Sequence, residues 1–453
     1  MRALLLSVMF CLSVNITFSQ ENQDTSLRLD QYGKVVKRVP LSTESRNGIL
    51  VFESKDQEYK LWFDFRLNID GQVFFNESYN EIGNGASLRR ARLAVKADVS
   101  KYWYGELDLS FNNAKLELKD AYVSYDFQNG MVASLGNFKQ RFSMCRTESS
   151  RYVKFMERPM GINALSPNRS IGFDMTYEAK RFYAVGGIFF QEIEDAEKAV
   201  FVEDNNKDFG RDQGTDLLAK LVLQPFGDNK KQGLHLGYTF LYRTPKTEVA
   251  LGEYGYARYS TRSLSNINRK KFLDTDLIAD FDHAVNTNIE IAAYHKGLNI
   301  VSEILNSRTY RKNNKESLDF GGFYVQAAYL LFGGNQVYNK SEAEFTQPNR
   351  GKSWGDIELA FRYDYATLND KDVLGGSAEG ITAGINFYTA KNVKFMLNYS
   401  IINHDRYASG KGKIFVGKDI AGALTKDPKS VANANGEGGE DYHQLGVRCE
   451  IAF

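Results

Sequence analysis

Hydrophobic and polar residues alternate along residues 443–453, at the end of the chain. Odd-numbered positions are nearly all apolar, and even-numbered positions carry amide, charged or small side chains. Because side chains on a β-strand point alternately to its two faces, this pattern predicts a strand with one apolar and one polar face. A final strand that ends on an aromatic residue, here Phe453, is typical of bacterial outer-membrane β-barrels, although the last strand of a soluble sheet shows the same alternation.

The same alternation recurs upstream, most clearly at 61–70, 92–97 and 394–401, where the polar positions are ionic or amide-rich. A soluble sheet usually packs its apolar face against a second layer, but segments with helical period are nearly absent from this sequence. We therefore predict an all-β fold, a transmembrane antiparallel β-barrel. In its last strand we expect Leu445, Val447, Ile451 and Phe453 to face lipid, and Gln444, Arg448 and Glu450 to face the lumen.

The alternating segments place about sixteen strands in the chain. Short and long connections alternate between them, as in barrels that have tight periplasmic turns and long outer loops, and only 334–352 is long where a short turn is due. A barrel of about sixteen strands encloses a water-filled channel. The predicted strands are 57–76, 86–99, 102–112, 115–127, 131–139, 169–179, 181–191, 214–224, 232–245, 271–282, 287–302, 317–333, 353–368, 376–389, 392–404 and 441–453.

The beginning of the chain predicts a cleaved secretory signal peptide. Met1 and Arg2 precede an apolar run at 3–18, and the small residue Ser19 precedes acidic sequence. After residue 20 no segment reaches the roughly 18 consecutive apolar residues that a membrane-spanning helix requires. The predicted organisation is a signal peptide at 1–20, an N-terminal periplasmic segment at 21–56 and a barrel at 57–453.

Composition agrees with long strands and leaves the partner open. The chain has 26 Tyr, 31 Phe and 38 Gly but only 7 Pro, a residue that cannot donate to a β-ladder. The net charge is +1, so only local charge can indicate a partner, and no nucleic-acid partner is expected. Outside the predicted signal peptide the only cysteines are Cys145 and Cys449, which do not suggest a disulfide framework.

The loops differ in local charge. The segment 139–158 has six basic residues and two acidic ones, a net charge of +4, although a solvated loop with scattered charge has the same composition. Residues 246–271 are also basic, whereas residues 192–213 are acidic. The basic residues of the first segment are Lys139, Arg141, Arg146, Arg151, Lys154 and Arg158.

An ordered series of short motifs runs along the chain, among them Arg89-Arg90-Ala91-Arg92-Leu93 and Gly136-Asn137-Phe138-Lys139. Others lie at 65–70, 119–122, 169–172 and 329–334. In this order the motifs resemble the porin O/P family of phosphate- and pyrophosphate-selective porins. The similarity spans roughly residues 47–453, and the family pattern also has a long connection that corresponds to 334–352.

The resemblance implies a sixteen-stranded homotrimeric porin, surrounded by outer-membrane lipid, whose third outer loop at about 140–168 folds into the lumen. Basic side chains of this loop and of the barrel wall would guide small inorganic anions. Matched by position are the arginine pair Arg90 and Arg92 and the loop positions Lys139, Arg151 and Arg158. The complete candidate anion path is Arg90, Arg92, Lys139, Arg141, Arg146, Arg151 and Arg158.

Two positions depart from the family pattern inside the predicted constriction. Arg141 stands where proline is usual, and Cys145 stands where an acidic residue is common. Both changes bear on which anion is preferred, and on whether the pore is selective.

We expect a porin for passive diffusion of small anions such as phosphate or polyphosphate. A narrow pore with low-dielectric walls concentrates the field of a few fixed charges, and a planar guanidinium donates in pairs to phosphate oxygens. A non-selective general porin, or a barrel whose surface loops form a binding platform, is the alternative. The five His residues accompany no recognisable nucleophile or metal-ligand spacing, so we expect no enzymatic activity, metal or cofactor.

Overall fold

Sixteen long antiparallel strands close into one barrel in a computed structural model of the chain. The structure describes residues 28–30, 32–36, 40–46, 49–112, 115–190, 192, 212–227, 231–245, 255–432 and 438–453. The last barrel strand pairs with the first, for example His443 with Phe75 and Ala452 with Arg66, which closes the barrel. The predicted fold class and strand count are therefore confirmed.

The barrel strands are numbered here in chain order. They are β1 (Lys60–Phe75), β2 (Gly85–Asp98), β3 (Trp103–Ser110), β4 (Glu117–Asp126), β5 (Met131–Lys139), β6 (Arg169–Glu178), β7 (Phe182–Phe189), β8 (Asp216–Leu223), β9 (Gln232–Arg243), β10 (Phe281–His295), β11 (Leu298–Arg311), β12 (Leu318–Leu330), β13 (Asp356–Asp370), β14 (Val373–Tyr388), β15 (Val393–His404) and β16 (Tyr442–Ala452).

The predicted positions of two strands were wrong. We expected strands at 271–282 and 287–302 with a short turn between them, but β10 runs through that turn and pairs with β11 across Lys296 and Gly297. The polar residues Asn286 and Asn288 resemble turn residues in the sequence. In the structure both face inward, where Asn286 donates to the Leu165 carbonyl and Asn288 to Glu303, so the lumen accommodates them within a strand.

Side chains on the last strand follow the predicted alternation. Leu445 and Val447 are exposed on the outer surface of the barrel, whereas Gln444, Arg448 and Glu450 are buried on the inner face. The two faces therefore have the polarity of a barrel with a polar interior.

The connections distinguish a loop end of the barrel from a turn end. At the loop end, 140–168 contains two short helices, α1 (Met144–Thr147) and α2 (Met160–Leu165), and 244–280 contains a strand pair, Ser260–Arg262 and Lys271–Asp274. At the turn end, the connection 331–355 is long, as predicted for 334–352, and it contains the strand pair Tyr338–Asn339 and Glu344–Phe345. Between β15 and β16 lie the strand pair Gly417–Lys418 and Leu424–Thr425 and a 3-10 helix at Pro428–Ser430.

The chain divides after Leu41 into two compact units. In the first, Arg28–Leu29 pairs with Val35–Val36. Strands Leu41–Arg46 and Ile49–Ser54 precede the barrel, and the second of them pairs with β1. No helix in the described part of the chain is long and apolar enough to cross a membrane. The predicted signal peptide lies outside the described residues, and the predicted boundary at residue 56 stays a prediction.

Candidate functional site

The connection 140–168 lies against the inner face of strands β10 to β15. Four of its backbone amides donate to side chains on that wall. The pairs are Met144 N to Glu290 (2.9 Å), Cys145 N to Glu303 (2.8 Å), Met156 N to Asn398 (2.8 Å) and Met160 N to Asp364 (3.2 Å). The connection is thus fixed across the lumen by acceptors from four different strands.

Carboxylates dominate the part of the wall that this connection covers. We call Glu290, Glu303, Glu358 and Asp364 the acidic wall; all four are fully buried. Lys154 reaches Glu358 at 2.9 Å, and Glu358 also accepts from the Gln336, Asn386 and Tyr388 side chains. Lys220 pairs with Glu290 at 2.7 Å. Glu290, Glu303 and Glu358 are hydrogen-bonded within the protein. Asp364 Oδ2 forms an ion pair with Arg362 Nε at 3.3 Å. None of the four lines either of the two cavities described below.

The opposite side of the lumen, formed by β1 to β6 and the inner side of 140–168, encloses a cavity of about 510 Å³. We call it the basic cavity, since twelve basic and six acidic side chains line it, a formal net charge of +6. All seven residues of the predicted anion path are among them. The basic residues are Arg66, Arg89, Arg90, Arg92, Lys96, Lys119, Lys139, Arg141, Arg146, Arg151, Arg158 and Arg169; the acidic ones are Asp64, Glu106, Asp108, Asp120, Glu342 and Glu344.

Within the described residues, carboxylate partners are seen for three of the predicted arginines. Arg141 Nε donates to Asp174 at 2.9 Å, Arg92 Nη1 lies 3.4 Å from Asp108, and Arg151 pairs with Asp64. Such a pair reduces the charge that an arginine presents to the cavity. Arg141, which stands where proline is usual in the family pattern, therefore adds a positive charge that Asp174 largely offsets.

Other predicted basic groups bond to backbone carbonyls, which are uncharged. Lys139 Nζ donates to the carbonyls of Thr147 (2.8 Å) and Glu148 (3.2 Å), and Arg158 donates to those of Cys145 (2.6 Å) and Glu148 (2.7 Å). Arg146 Nε donates to the Pro167 carbonyl at 3.2 Å. These bonds hold the side chains in place and add no negative charge to the cavity.

Arg90 differs from the rest of the predicted path. Its side chain is buried, and within the described residues it has neither a hydrogen bond nor an ion pair. Three neighbouring arginines also carry a buried Nε without a hydrogen-bond partner: Arg66, Arg92 and Arg151. Buried donors are rarely left unpaired, so these four arginines have donor groups to which the described protein offers no acceptor.

Arg89 is a lumen residue that strict alternation in the sequence misses. In the ladder between β1 and β2, Asn68 pairs with Arg90 and Ile69 pairs with Leu88, so Arg89 is the extra residue of a β-bulge. The bulge turns Arg89 toward the lumen, where it donates to Glu157 through Nε (2.6 Å) and Nη2 (3.0 Å). A bulge of this kind has no clear signal in one sequence.

A second cavity of about 580 Å³ lies toward the loop end, between 255–284 and 157–168. We call it the loop cavity. Arg89 and Asn168 line both cavities, so the two cavities meet at these residues. Burial alone raises the pKa of Glu157, but the charge and hydrogen bonds of Arg89, together with Arg448 and Arg90, lower it to about 2. Glu157 is therefore ionised at neutral pH.

The connection 244–280 is attached to the inner wall through Ser263. Ser263 Oγ bonds His404 Nε2 at 2.7 Å, and the Ser263 carbonyl accepts from the Tyr442 hydroxyl at 2.9 Å. Both Ser263 and His404 are buried, so this serine–histidine contact has no access to a substrate and serves to fix the connection.

Three carboxylates of the basic cavity, Glu106, Asp108 and Asp120, have oxygens within 4.8 Å of one another. Each faces a cation of the protein. Lys96 lies 3.3 Å from Glu106, and Arg169 lies 2.7 Å from Asp120, while Arg92 neighbours Asp108 as described above. The protein's own cations therefore offset this acidic cluster.

The departure at Cys145 places no charge in the cavity. Its side chain is buried and is absent from the cavity lining, and its backbone contributes the bonds to Glu303 and Arg158. Burial raises the pKa of the Cys145 thiol to about 12. Of the other loops, most of the acidic 192–213 and residues 246–254 of the basic loop lie outside the described residues.

Comparison with known proteins identifies the family. The sequence profile of the family described as phosphate-selective porin O and P matches residues 63–419. Porin O of Pseudomonas aeruginosa is 22 % identical over 401 residues, which cover 81 % of this chain and 88 % of that protein. An uncharacterized protein of Caulobacter vibrioides is 26 % identical over 362 residues, 78 % of this chain and 70 % of that protein.

A solved structure has the same fold. The loop L8 deletion mutant of OmpT, an outer membrane protein of Vibrio cholerae, superposes with a TM-score of 0.51 at 12 % identity, and the match covers 87 % of this chain and 100 % of that chain. The closed sixteen-stranded barrel, its polar lumen and the family match lead to one conclusion: this chain belongs to the phosphate-selective porin O and P family and forms a porin channel in the outer membrane.

Proposed function

We propose that the channel conducts small inorganic anions by passive diffusion, with phosphate or short polyphosphate as the preferred class. The observation that carries this proposal is the basic cavity, where twelve basic side chains face six acidic ones and Arg90 makes no hydrogen bond or ion pair with the described residues. A cation would meet a formal excess of six positive charges on this path.

Arginine chemistry favours phosphate among the anions. A guanidinium presents a planar set of donors that matches two oxygens of one phosphate, so a single side chain can both attract and orient the ion. Three buried donors of residues that line this cavity have no acceptor in the described protein: Nη1 of Arg90 and Nε of Arg92 and Arg151. Conduction also requires that an ion can leave, which several moderate sites allow better than one tight site.

The proposed route enters at the loop end, which is extracellular in barrels of this type. It crosses the loop cavity, passes Arg89 and Asn168, and enters the basic cavity. It leaves at the turn end beside Glu342 and Glu344 of the connection 331–355. We further propose, on the family resemblance, that the chain assembles as a homotrimer surrounded by outer-membrane lipid, and that residues 1–20 are removed on export.

The test measures chloride current through the purified channel in planar bilayers while phosphate is added. Wild-type channels should be blocked progressively by phosphate. Arg92→Ala and Arg151→Ala should each need more phosphate for half block, because each removes a buried Nε donor that has no hydrogen-bond partner among the described residues. Arg308→Ala is the matched control, since Arg308 is exposed on the outer surface beside Asp319. Equal phosphate block in wild type and all three variants would show that phosphate does not bind in this cavity.

The same recordings separate the alternatives. A channel that conducts but shows no preference between potassium and chloride is a general porin. A protein that inserts and gives no discrete conductance is a barrel whose loops serve as a binding platform.

A further inference from the structure

Glu157 occupies the arginine group at the junction of the two cavities. Both of its carboxylate oxygens accept from Arg89, at 2.6 and 3.0 Å, and Oε1 lies 3.7 Å from Arg448 Nη2. Arg90 and Arg262 also interact with it electrostatically. Four arginines thus surround one carboxylate, and Arg448 is shared with Asp70, which it contacts at 2.6 and 2.7 Å.

The position of Glu157 does not depend on its own charge. Its backbone carbonyl accepts from Arg362 Nη1 at 2.9 Å, and the preceding amide of Met156 donates to Asn398. Backbone hydrogen bonds therefore hold the Glu157 carboxylate beside Arg89, at a place where the arginines would otherwise attract a mobile anion. A carboxylate offers two coplanar oxygens, the same acceptor pair that one face of a phosphate offers to a guanidinium.

Arg89 is the only basic residue that lines both cavities in the described part of the chain. An ion that crosses from the loop cavity to the basic cavity passes this guanidinium. If Arg89 had no partner, four neighbouring arginines would form a deep trap for a multivalent anion, and a trapped ion does not conduct.

We propose that Glu157 is a tethered competitor for the permeating anion: it occupies Arg89 between passages, yields that arginine to an incoming phosphate-class anion, and reclaims it so that the anion leaves. This inference rests on the proposed function, because it assigns the exchange step within the same path. It makes Glu157 a residue that determines how tightly the channel holds its ion and how fast the ion moves on.

The test compares phosphate block and phosphate current in Glu157→Gln with those in wild type. Removal of the competing charge should lower the phosphate concentration for half block about tenfold, the order expected for loss of one charge-assisted contact. The saturating phosphate current should fall, because ions leave more slowly. Glu316→Gln is the matched control: Glu316 lines neither cavity, and its exposed carboxylate lies 3.6 Å from Lys371. This control should move the half-block concentration by less than about twofold.

Glu157→Asp is the second variant. It keeps the charge but shortens the reach to Arg89, so its half-block concentration should lie between those of wild type and Glu157→Gln. This variant decides the matter if Glu157→Gln does not form channels.

Unchanged or weaker phosphate block in these variants overturns the inference. The proposed function fails separately: it is wrong if wild-type channels show no anion preference and no phosphate block, whereas anion-selective wild-type channels with unaltered block in both Glu157 variants contradict only the tethered competitor.

Discussion

The two sides of the lumen differ in their exposure to water: the acidic wall is covered, whereas the basic cavity is open. The four carboxylates of the acidic wall have no exposed surface, because the connection 140–168 lies on them. On the other side the side chains of Arg89, Arg92 and Arg141 keep 24, 14 and 25 % of their surface exposed. The connection thus covers the acids and leaves the bases facing the water path.

This difference shows how a chain with a net charge of only +1 can line one cavity with a formal charge of +6. The field along a pore depends on the charges that line it and not on the total. Because the connection 140–168 covers the acidic wall, the carboxylates of that wall do not line the water path and the positive side chains do. The carboxylates accept hydrogen bonds from the connection and are not available to cations.

The largest expected effect comes from breaking the cover at Glu358. Glu358→Gln leaves Lys154 buried without its carboxylate, and removal of one partner of a buried ion pair costs about 3–5 kcal/mol. We expect a clearly lower unfolding temperature of the detergent-solubilised protein, measured by circular dichroism, and faster trypsin cleavage after Arg151. Asp319→Asn is the control, because its pair with Arg308 is exposed and should contribute at most about 1 kcal/mol. Equal thermal shifts in both variants would contradict the anchoring role.

The next effect contrasts Arg90, which makes no direct ion pair, with Arg141, which does. Arg90→Ala removes a guanidinium that makes no hydrogen bond or ion pair with the described residues, and we expect roughly tenfold weaker phosphate block of chloride current. Arg141→Ala removes a charge that Asp174 already offsets, so block should change by about twofold or less. The account is wrong on this point if Arg141→Ala has the larger effect.

A smaller effect should appear with pH. Burial raises the pKa of Glu148 to about 7, against the opposing influence of Lys154, Arg158, Lys394 and Lys139. Its carboxyl is neutral below this pH and negative above it, so the positive field should weaken as pH rises from 6 to 8. We expect lower chloride preference at pH 8, measured with chloride because phosphate itself titrates. Burial also raises the pKa of Glu344, which lines the basic cavity, to about 8. Glu148→Gln should therefore reduce the pH dependence without abolishing it, and an unaltered pH profile in that variant would show that Glu148 does not contribute.

The smallest expected effect is a difference in chemical labelling between the thiols of Cys449 and Cys145, with no change in channel conductance. Cys449 lies on the outward face of β16, beside the exposed Val447, whereas Cys145 is buried under the connection 140–168. In membranes a lipid-soluble maleimide should label Cys449, and a charged maleimide should not. Cys449→Ser should abolish the labelling, and labelling that persists would mean that Cys145 is accessible.

The sequence predicted the fold because membrane strands have a strict period of two. The alternation around Leu445 and Arg448 determined the inner and outer faces, and the strand count followed from similar segments. The same rule failed between 271 and 302, since Asn286 and Asn288 look like turn residues when the lumen that accommodates them is not yet known. Asn286 donates to the Leu165 carbonyl, 121 residues away in sequence, and Asn288 donates to Glu303 on the neighbouring strand β11.

The candidate site was predicted as a set of residue types and not as an arrangement. The seven predicted residues line one cavity, but Arg89 was missed because it faces inward only as the extra residue of the β-bulge in β2. Which arginines are paired also could not be predicted, since Asp174 and Asp64 lie on strands remote in sequence from Arg141 and Arg151. Long-range pairing of this kind depends on the closed barrel.

The central claim is that the open path is positive because the acidic wall is covered. The most direct test is the reversal potential of wild-type channels across a tenfold potassium chloride gradient at pH 7. We predict a potential with the sign of chloride preference, which shifts toward zero in Glu358→Gln channels as the cover loosens. A wild-type potential with the sign of potassium preference would contradict the account.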